Sequence, residues 1–221
     1  MTAKERKAAA PMIDELRLID LQDADPDEIQ ARGSYSARRY SAAGLAGRDL
    51  SGAVFSECEF DGLDVHEAEL QAARFTETRI AQATAAALRA SRTTWRDVHI
   101  DRSRFGAAEL FDAELEAVRI TGSKLSFVNL RAARLRDVQF ERCVIDELDL
   151  VEARAERVAF SDCRVGAIRL DHSQLRHVDL RGLDLHSISG VESMRGAIIS
   201  FSQAVDLTSA FASHLGIVVA D

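Results

Sequence analysis

The sequence predicts a solenoid of stacked β-coils closed by a C-terminal helix. Two columns of apolar residues and the point at which both stop carry this reading. The first column places an apolar residue every five positions: Leu45, Leu50, Phe55, Phe60, Val65, Leu70, Phe75, Ile80 and onward to Leu185, with only Ala85, Ala90 and Ala155 small. The second stands two residues earlier and is smaller: Ala53, Cys58, Leu63, Ala68, Ala73, Thr78, Ala83 and on to Val178 and Leu183. A period of five fits neither a helix nor a strand, and self-similarity at a fixed period marks a repeat array. Positions i and i−2 therefore point inward, while i−1, i+1 and i+2 face water.

Residues 1–12 are small and charged without period and read as a disordered tail. A lead-in and cap follows over 13–42, with Leu16, Leu18 and Leu21 apolar, then an acidic turn or helix start at Asp23-Ala-Asp-Pro-Asp-Glu28. Tyr35 and Tyr40 already keep the beat. The strict repeats occupy 43–189, and the phase breaks at Gly190. The C-terminal cap over 190–221 contains a capping box, with Ser200 at the N-cap and Gln203 at N3. Val205, Thr208, Phe211, Ala212 and Leu215 follow at helical spacing to a stop at Gly216, so a helix is expected over about 201–215. Such a helix covers the strand edges of the last coil. Ile217-Val-Val219 reads as a possible final strand.

Composition agrees with this architecture. Of 221 residues, 47% are hydrophobic yet only 6% aromatic, as expected when each repeat buries one medium and one small side chain. No apolar run reaches the ~20 residues of a membrane span. The basic N-terminus is followed by no apolar segment, so a secretory signal is not expected and a cytoplasmic location is. The net charge of −8 argues against direct nucleic-acid binding. Cys58, Cys143 and Cys163 all occupy the small inward position and read as buried free thiols without metal-ligand spacing.

The A-(D/N)-L-x-x pattern, as in Gly47-Arg-Asp-Leu-Ser-Gly-Ala-Val-Phe55 and Val178-Asp-Leu-Arg-Gly-Leu-Asp-Leu185, resembles the pentapeptide-repeat family over about two-thirds of the chain. That resemblance implies an all-β, right-handed quadrilateral β-helix with four pentapeptides per square coil of twenty residues. The ends, including Val191-Glu-Ser-Met-Arg-Gly-Ala-Ile198, are similar to those of actinobacterial members. With coils at strand spacing, roughly seven of them form a rod about 35 Å long.

Coil register sharpens the expectations. The four faces are named by their centres: A (45, 65…), B (50, 70…), C (55, 75…) and D (60, 80…). Ala85 and Ala90 share a coil with Trp95 and make room for it. Cys143 and Cys163 stack on adjacent rungs, too far apart for a disulfide. The i+1 column of face C (Ser56, Thr76, Arg96, Glu116, Arg136, Glu156, Arg176) alternates in charge and reads as a structural ladder. Face B carries a more acidic i−1 column: Asp49, Glu69, Arg89, Glu109, Asn129, Asp149 and Arg169, with Asp112 and Glu152 at the next corner. The corner after face C stacks Glu57, Glu77 and Asp97. Like charges on adjacent strands destabilise, so these columns are either neutralised by Arg74, Arg79, Arg96 and Arg102 or kept for a partner. Phe111 and Phe127 point outward, with Val144 and Val151 nearby, and form a second candidate partner surface.

No catalytic constellation is present. The histidines lack metal spacing, and Ser173 points inward while Asp171 and His172 point out. A filled square rod has no substrate pocket. No enzyme, cofactor or metal is expected. The resemblance implies a non-enzymatic binding protein. Some members, linked to quinolone resistance and to protection from gyrase poisons, bind DNA gyrase by imitating duplex DNA. The absence of inserted loops here resembles the mycobacterial type. In such relatives the C-terminal helix joins two rods end to end, which implies a homodimer here through Val205, Phe211 and Leu215. The alternative is a pentapeptide-repeat scaffold with no topoisomerase link.

Overall fold

The computed structural model describes residues 9–219; the side chains of Leu185 and His186 lie outside that description. The chain winds into a right-handed, all-parallel β-solenoid of about nine turns. Twenty residues separate stacked neighbours. On face C the inward column runs Phe55, Phe75, Trp95, Leu115, Leu135, Ala155 and Leu175 in strict register. On face D it runs Phe60, Ile80, Ile100, Ile120, Phe140 and Phe160. Strands such as Thr94–Asp101 bend round faces C and D, and strands such as Arg104–Glu109 serve face A and the approach to B.

Stacked coils extend past the strict repeats at both ends. Gln22 pairs with Arg38 at an offset of sixteen, and Val178 pairs with Ala197 at nineteen. The rod therefore has about nine turns where the uninterrupted beat implies seven, because looser coils need only backbone ladders, not the full pattern of side chains.

Corners are made by left-handed residues at i+2, including Glu57 (φ 53°), Glu77 (φ 46°), Asp97 (φ 52°), Asp137 (φ 57°) and Arg157 (φ 53°). Each such non-glycine residue costs about 1–2 kcal/mol, offset by the ladder bonds the corner permits. The corner between faces A and B departs from this from Thr84 onward: Ala107, Phe127 and Glu147 pair in extended register instead.

The core is a stack of rings and branched chains. Tyr35, Phe55, Phe75 and Trp95 form a four-ring ladder with centroids 5.3, 5.1 and 4.3 Å apart and planes within 20°. Ala85 and Ala90 lie buried in the Trp95 coil, as the spacing predicts. An apolar void of about 60 Å³ still runs along the axis, lined by residues such as Leu63, Ala83, Leu88, Trp95 and Ala108. All three cysteines are free and buried. Burial pushes the Cys58 thiol up, and Cys143 is pushed up by its bond to Cys163 and by burial.

At the C-terminal end the helix is split. Helix α1 (Phe201–Asp206) and helix α2 (Thr208–His214) meet at Leu207, which turns inward and is buried. The capping box forms in full. Gln203 does more than cap: its amide donates to the Leu180 and Leu183 carbonyls at 2.7 and 2.9 Å, satisfying the open edge of the last coil. Gly216 (φ 70°) ends α2, with Gly216 N–H bonded to Ser213 O and Ile217 N–H to Ala212 O. Residues Ile217–Val219 form no strand; past the Gly216 stop they find no free edge and are exposed.

Candidate interaction surfaces

The face B column is acidic in sequence but largely neutralised in space. Arg89 reaches Glu69 at 2.6 Å, Asn129 donates to Glu109 at 2.6 Å, and Arg92 stands 3.9 Å from Asp112. Asp49 accepts from the Ser51 amide at 2.9 Å. Asp149 is buried: the Val151 amide donates to it at 3.0 Å, while Arg131 and Arg169 close over it at 3.3 and 3.4 Å. Glu152 remains exposed at its corner. The face C ladder forms as the alternation predicts, with Arg96 and Arg136 sharing Glu116 at 3.1 and 3.5 Å and Arg176 reaching Glu156 at 3.7 Å.

The corner between faces C and D behaves differently. Among the described residues, Glu57, Glu77 and Asp97 have no ion pair within 4 Å, so Arg74, Arg79, Arg96 and Arg102 do not pair with them. Glu57 and Glu77 are exposed, one rung apart at about 4.8 Å. Asp97 is half-buried, and burial pushes its carboxyl up against the pull of Arg96, with Glu116 and Asp14 adding to the rise.

Asp14 reaches this corner because residues 9–21 form an extended strap along the rod. The Met12 amide donates to Asp137 Oδ1 at 2.9 Å, Arg119 meets Glu15 at 2.9 Å, and Gln22 enters the first coil at Ala37. The strap thus spans five rungs, about 24 Å, in ten residues, well within the reach of extended chain. Pro11, Ile13, Leu16, Leu18 and Leu21 turn inward and are half-buried. Of the tail expected over residues 1–12, residues 1–8 lie outside the described residues, while Met12 is tied to the rod. Beneath the strap lies His99; burial and Arg119 hold its imidazole below the usual range, opposed by Asp101 and Glu15. Asp137 anchors the strap's outer end and is gripped by Arg157 through two bonds of 2.6 Å.

The apolar candidates divide. Phe111 and Val144 are exposed, and Phe127 is half-buried at the extended A–B corner. Val151 is buried at 5% exposure, against the outward orientation read from its i+1 position. Its amide binds Asp149, and Arg131, which covers Asp149, stands one rung away in its own column.

Family models described as "Pentapeptide repeats (8 copies)" and "Pentapeptide repeat region" match residues 41–83 and 113–189, together just over half of the chain. The chain belongs to the pentapeptide-repeat family. No curated protein matches it. Among solved structures it is similar to full-length QnrB1, described as a plasmid-mediated fluoroquinolone resistance protein. Identity is 18% and the TM-score 0.41, over 89% of this chain and 95% of that one. It is also similar to HetL, described as a pentapeptide repeat protein involved in heterocyst differentiation regulation from the cyanobacterium Nostoc sp. strain PCC 7120. There identity is 18% and the TM-score 0.32, over 76% and 90% of the two chains.

The end of this pentapeptide-repeat rod presents a further surface. Val205 and Leu215 point outward, at 57% and 70% exposure, while Phe211 is half-buried. Phe201, the first residue of α1, and Ile217, Val218 and Val219, past the end of α2, are exposed beside them in sequence; helical spacing does not single them out, because they lie at or beyond the helix ends. Among the described residues, no three His, Cys, Asp or Glu side chains converge as metal ligands, and no helix is long and apolar enough to cross a membrane. Ser173 is buried, and Asp171 instead accepts from Ser189 at 3.0 Å.

Proposed function

We propose that this pentapeptide-repeat protein is a non-enzymatic, cytoplasmic binding rod that engages DNA gyrase or a related topoisomerase by imitating duplex DNA. The observation that carries the reading is the run of unpaired carboxylates Glu57, Glu77 and Asp97 at one corner of the rod. Elsewhere many acidic residues are met by an arginine, and those without an ion pair among the described residues, such as Asp64, Glu67 and Glu152, do not stack on adjacent rungs. A ridge of carboxylates at about strand spacing offers a regular negative field to a basic saddle. Glu152, and Asp112 through its loose 3.9 Å contact with Arg92, extend that field at the next corner of face B.

The test is gyrase supercoiling with purified protein. Inhibition of supercoiling, or protection from a gyrase poison, at micromolar concentration is expected, with at least about a tenfold loss in E57Q/E77Q. No effect at that concentration sinks the DNA-mimic reading. A scaffold with no topoisomerase link is then favoured by the neutralised face B column and the exposed Phe111.

We further propose that two rods join through the C-terminal helices, with Val205, Phe211 and Leu215 at the contact. The exposed apolar side chains of this end support it, since burying several of them contributes about 1.5–3 kcal/mol each. Phe211→Asp is expected to halve the mass in solution. An unchanged mass by light scattering removes the dimer.

A further inference from the structure

Arginines on this rod are generally answered by carboxylates. Arg89 meets Glu69, Arg134 meets Glu114 at 3.0 Å and Arg164 meets Asp184 at 3.3 Å, each one rung away. Arg102, Arg104 and Lys124 break that rule together. They stand where face D turns into face A, all three are exposed, and among the described residues none has a carboxylate within 4 Å. Arg104 and Lys124 occupy one column on adjacent rungs in direct register. Stacked like charges cost stability, and a protein of net charge −8 has carboxylates enough to have answered them.

A depression of about 450 Å³ lies beside this column. Its floor is the i+1 column of face A, where Ala86, Gly106 and Ser126 follow one another. Gly106 keeps that floor bare of necessity, since a Cβ there would stand 2.4 Å from the Ala86 carbonyl oxygen. Cations therefore line one wall of a shallow trough that the backbone itself keeps open.

We propose that this trough docks a short, extended, acidic segment of a protein partner. Its carboxylates meet Arg104 and Lys124, and its backbone lies over Ala86, Gly106 and Ser126. Guanidinium–carboxylate pairing supplies both attraction and orientation. Charge favours a peptide over nucleic acid. The cationic stretch spans only two rungs, about 5 Å apart. Asp64 lines the trough beyond it, so a longer phosphate backbone along the face would meet a carboxylate. The net charge also opposes long polyanions. This surface lies on a different face from the carboxylate corner, so its failure and the failure of the gyrase reading are distinguishable.

The experiment titrates the ¹⁵N-labelled full chain with N-acetyl hexaglutamate at low and at physiological ionic strength. Amide shifts are expected at residues 84–86, 104–106 and 124–126, weakening with salt. R104Q/K124Q is expected to bind at least about fivefold more weakly and to keep its thermal midpoint, because it removes a repulsion and breaks no ion pair. Should that variant fold poorly, Lys124→Gln alone is expected to weaken binding in the same direction. Shifts absent, or centred on other arginines, overturn the proposal, as does unchanged binding by the variant. Equal or stronger shifts at these amides with an oligothymidylate overturn the choice of a peptide partner, and equal shifts with hexalysine overturn the electrostatic basis.

Discussion

Trp95→Ala is expected to lower the free energy of unfolding by about 3–5 kcal/mol. Trp95 ends the four-ring ladder, stacked on Phe75 at 4.3 Å and 5% exposed. Its indole N–H donates to Thr93 Oγ1 at 2.7 Å, and the Thr93 hydroxyl donates onward to the Ala90 carbonyl at 2.7 Å. Truncation removes the largest side chain in that coil and takes away the donor to Thr93. The hole it leaves adjoins the axial void and cannot collapse, because ladder hydrogen bonds fix the rung spacing. That places the cost toward the upper part of the range for large-to-small core changes. Trp95→Phe keeps the stack and is expected to cost less than half as much. Urea unfolding followed by circular dichroism reads both variants, since tryptophan fluorescence vanishes with the only Trp. A loss below about 1 kcal/mol for the alanine variant contradicts this account of the core.

Why the ring ladder is legible in the sequence and the strap is not comes down to range. Phe55, Phe75 and Trp95 are twenty residues apart in a strict period, so counting alone stacks them. Thr93 is legible as an inward small residue, though its service to the indole emerges only in three dimensions. The strap has too short a pattern to phase, and its anchors lie 125 residues away at Asp137 and 104 at Arg119. Periodicity also sorts side chains only into inward and outward. It reads Asp149 and Val151 as exposed, yet arginines from neighbouring rungs fold over Asp149. In the same way the capping box is readable at Ser200 and Gln203, whereas the break at Leu207 follows from that residue turning into the rod. One further interaction is legible in the sequence: Asp137 and Arg157 share a corner column one rung apart, with opposite charges.

That pair governs the second large effect. Asp137→Asn is expected to cost about 3 kcal/mol at neutral pH, because removing one partner strands the other where water is scarce. Asp137 and Arg157 have side-chain exposures of 7% and 12% and share two bonds of 2.6 Å, while Glu156 at 2.7 Å keeps part of the compensation. Asparagine tolerates the left-handed corner, so the substitution isolates charge from backbone. Burial pushes the Asp137 carboxyl up, but the Arg157 bonds, the Met12 amide and Arg136 together hold it below its ordinary range. A depressed folded-state value means that this stabilisation is present above the ordinary carboxylate range, about pH 4, and is lost as pH falls through the folded value. The urea midpoints of wild type and variant are therefore expected to differ most at pH 7 and to converge in acid. The Met12 contact adds a second readout. With Asp137 neutral the strap's outer anchor weakens, and trypsin is expected to cut after Arg17 several-fold faster, since cleavage there follows the population of the open strap. A variant that matches wild type in urea at pH 7 would show the pair to be dispensable. Unchanged cleavage at Arg17 alongside a lost midpoint would confine its role to the coils and detach the strap from it.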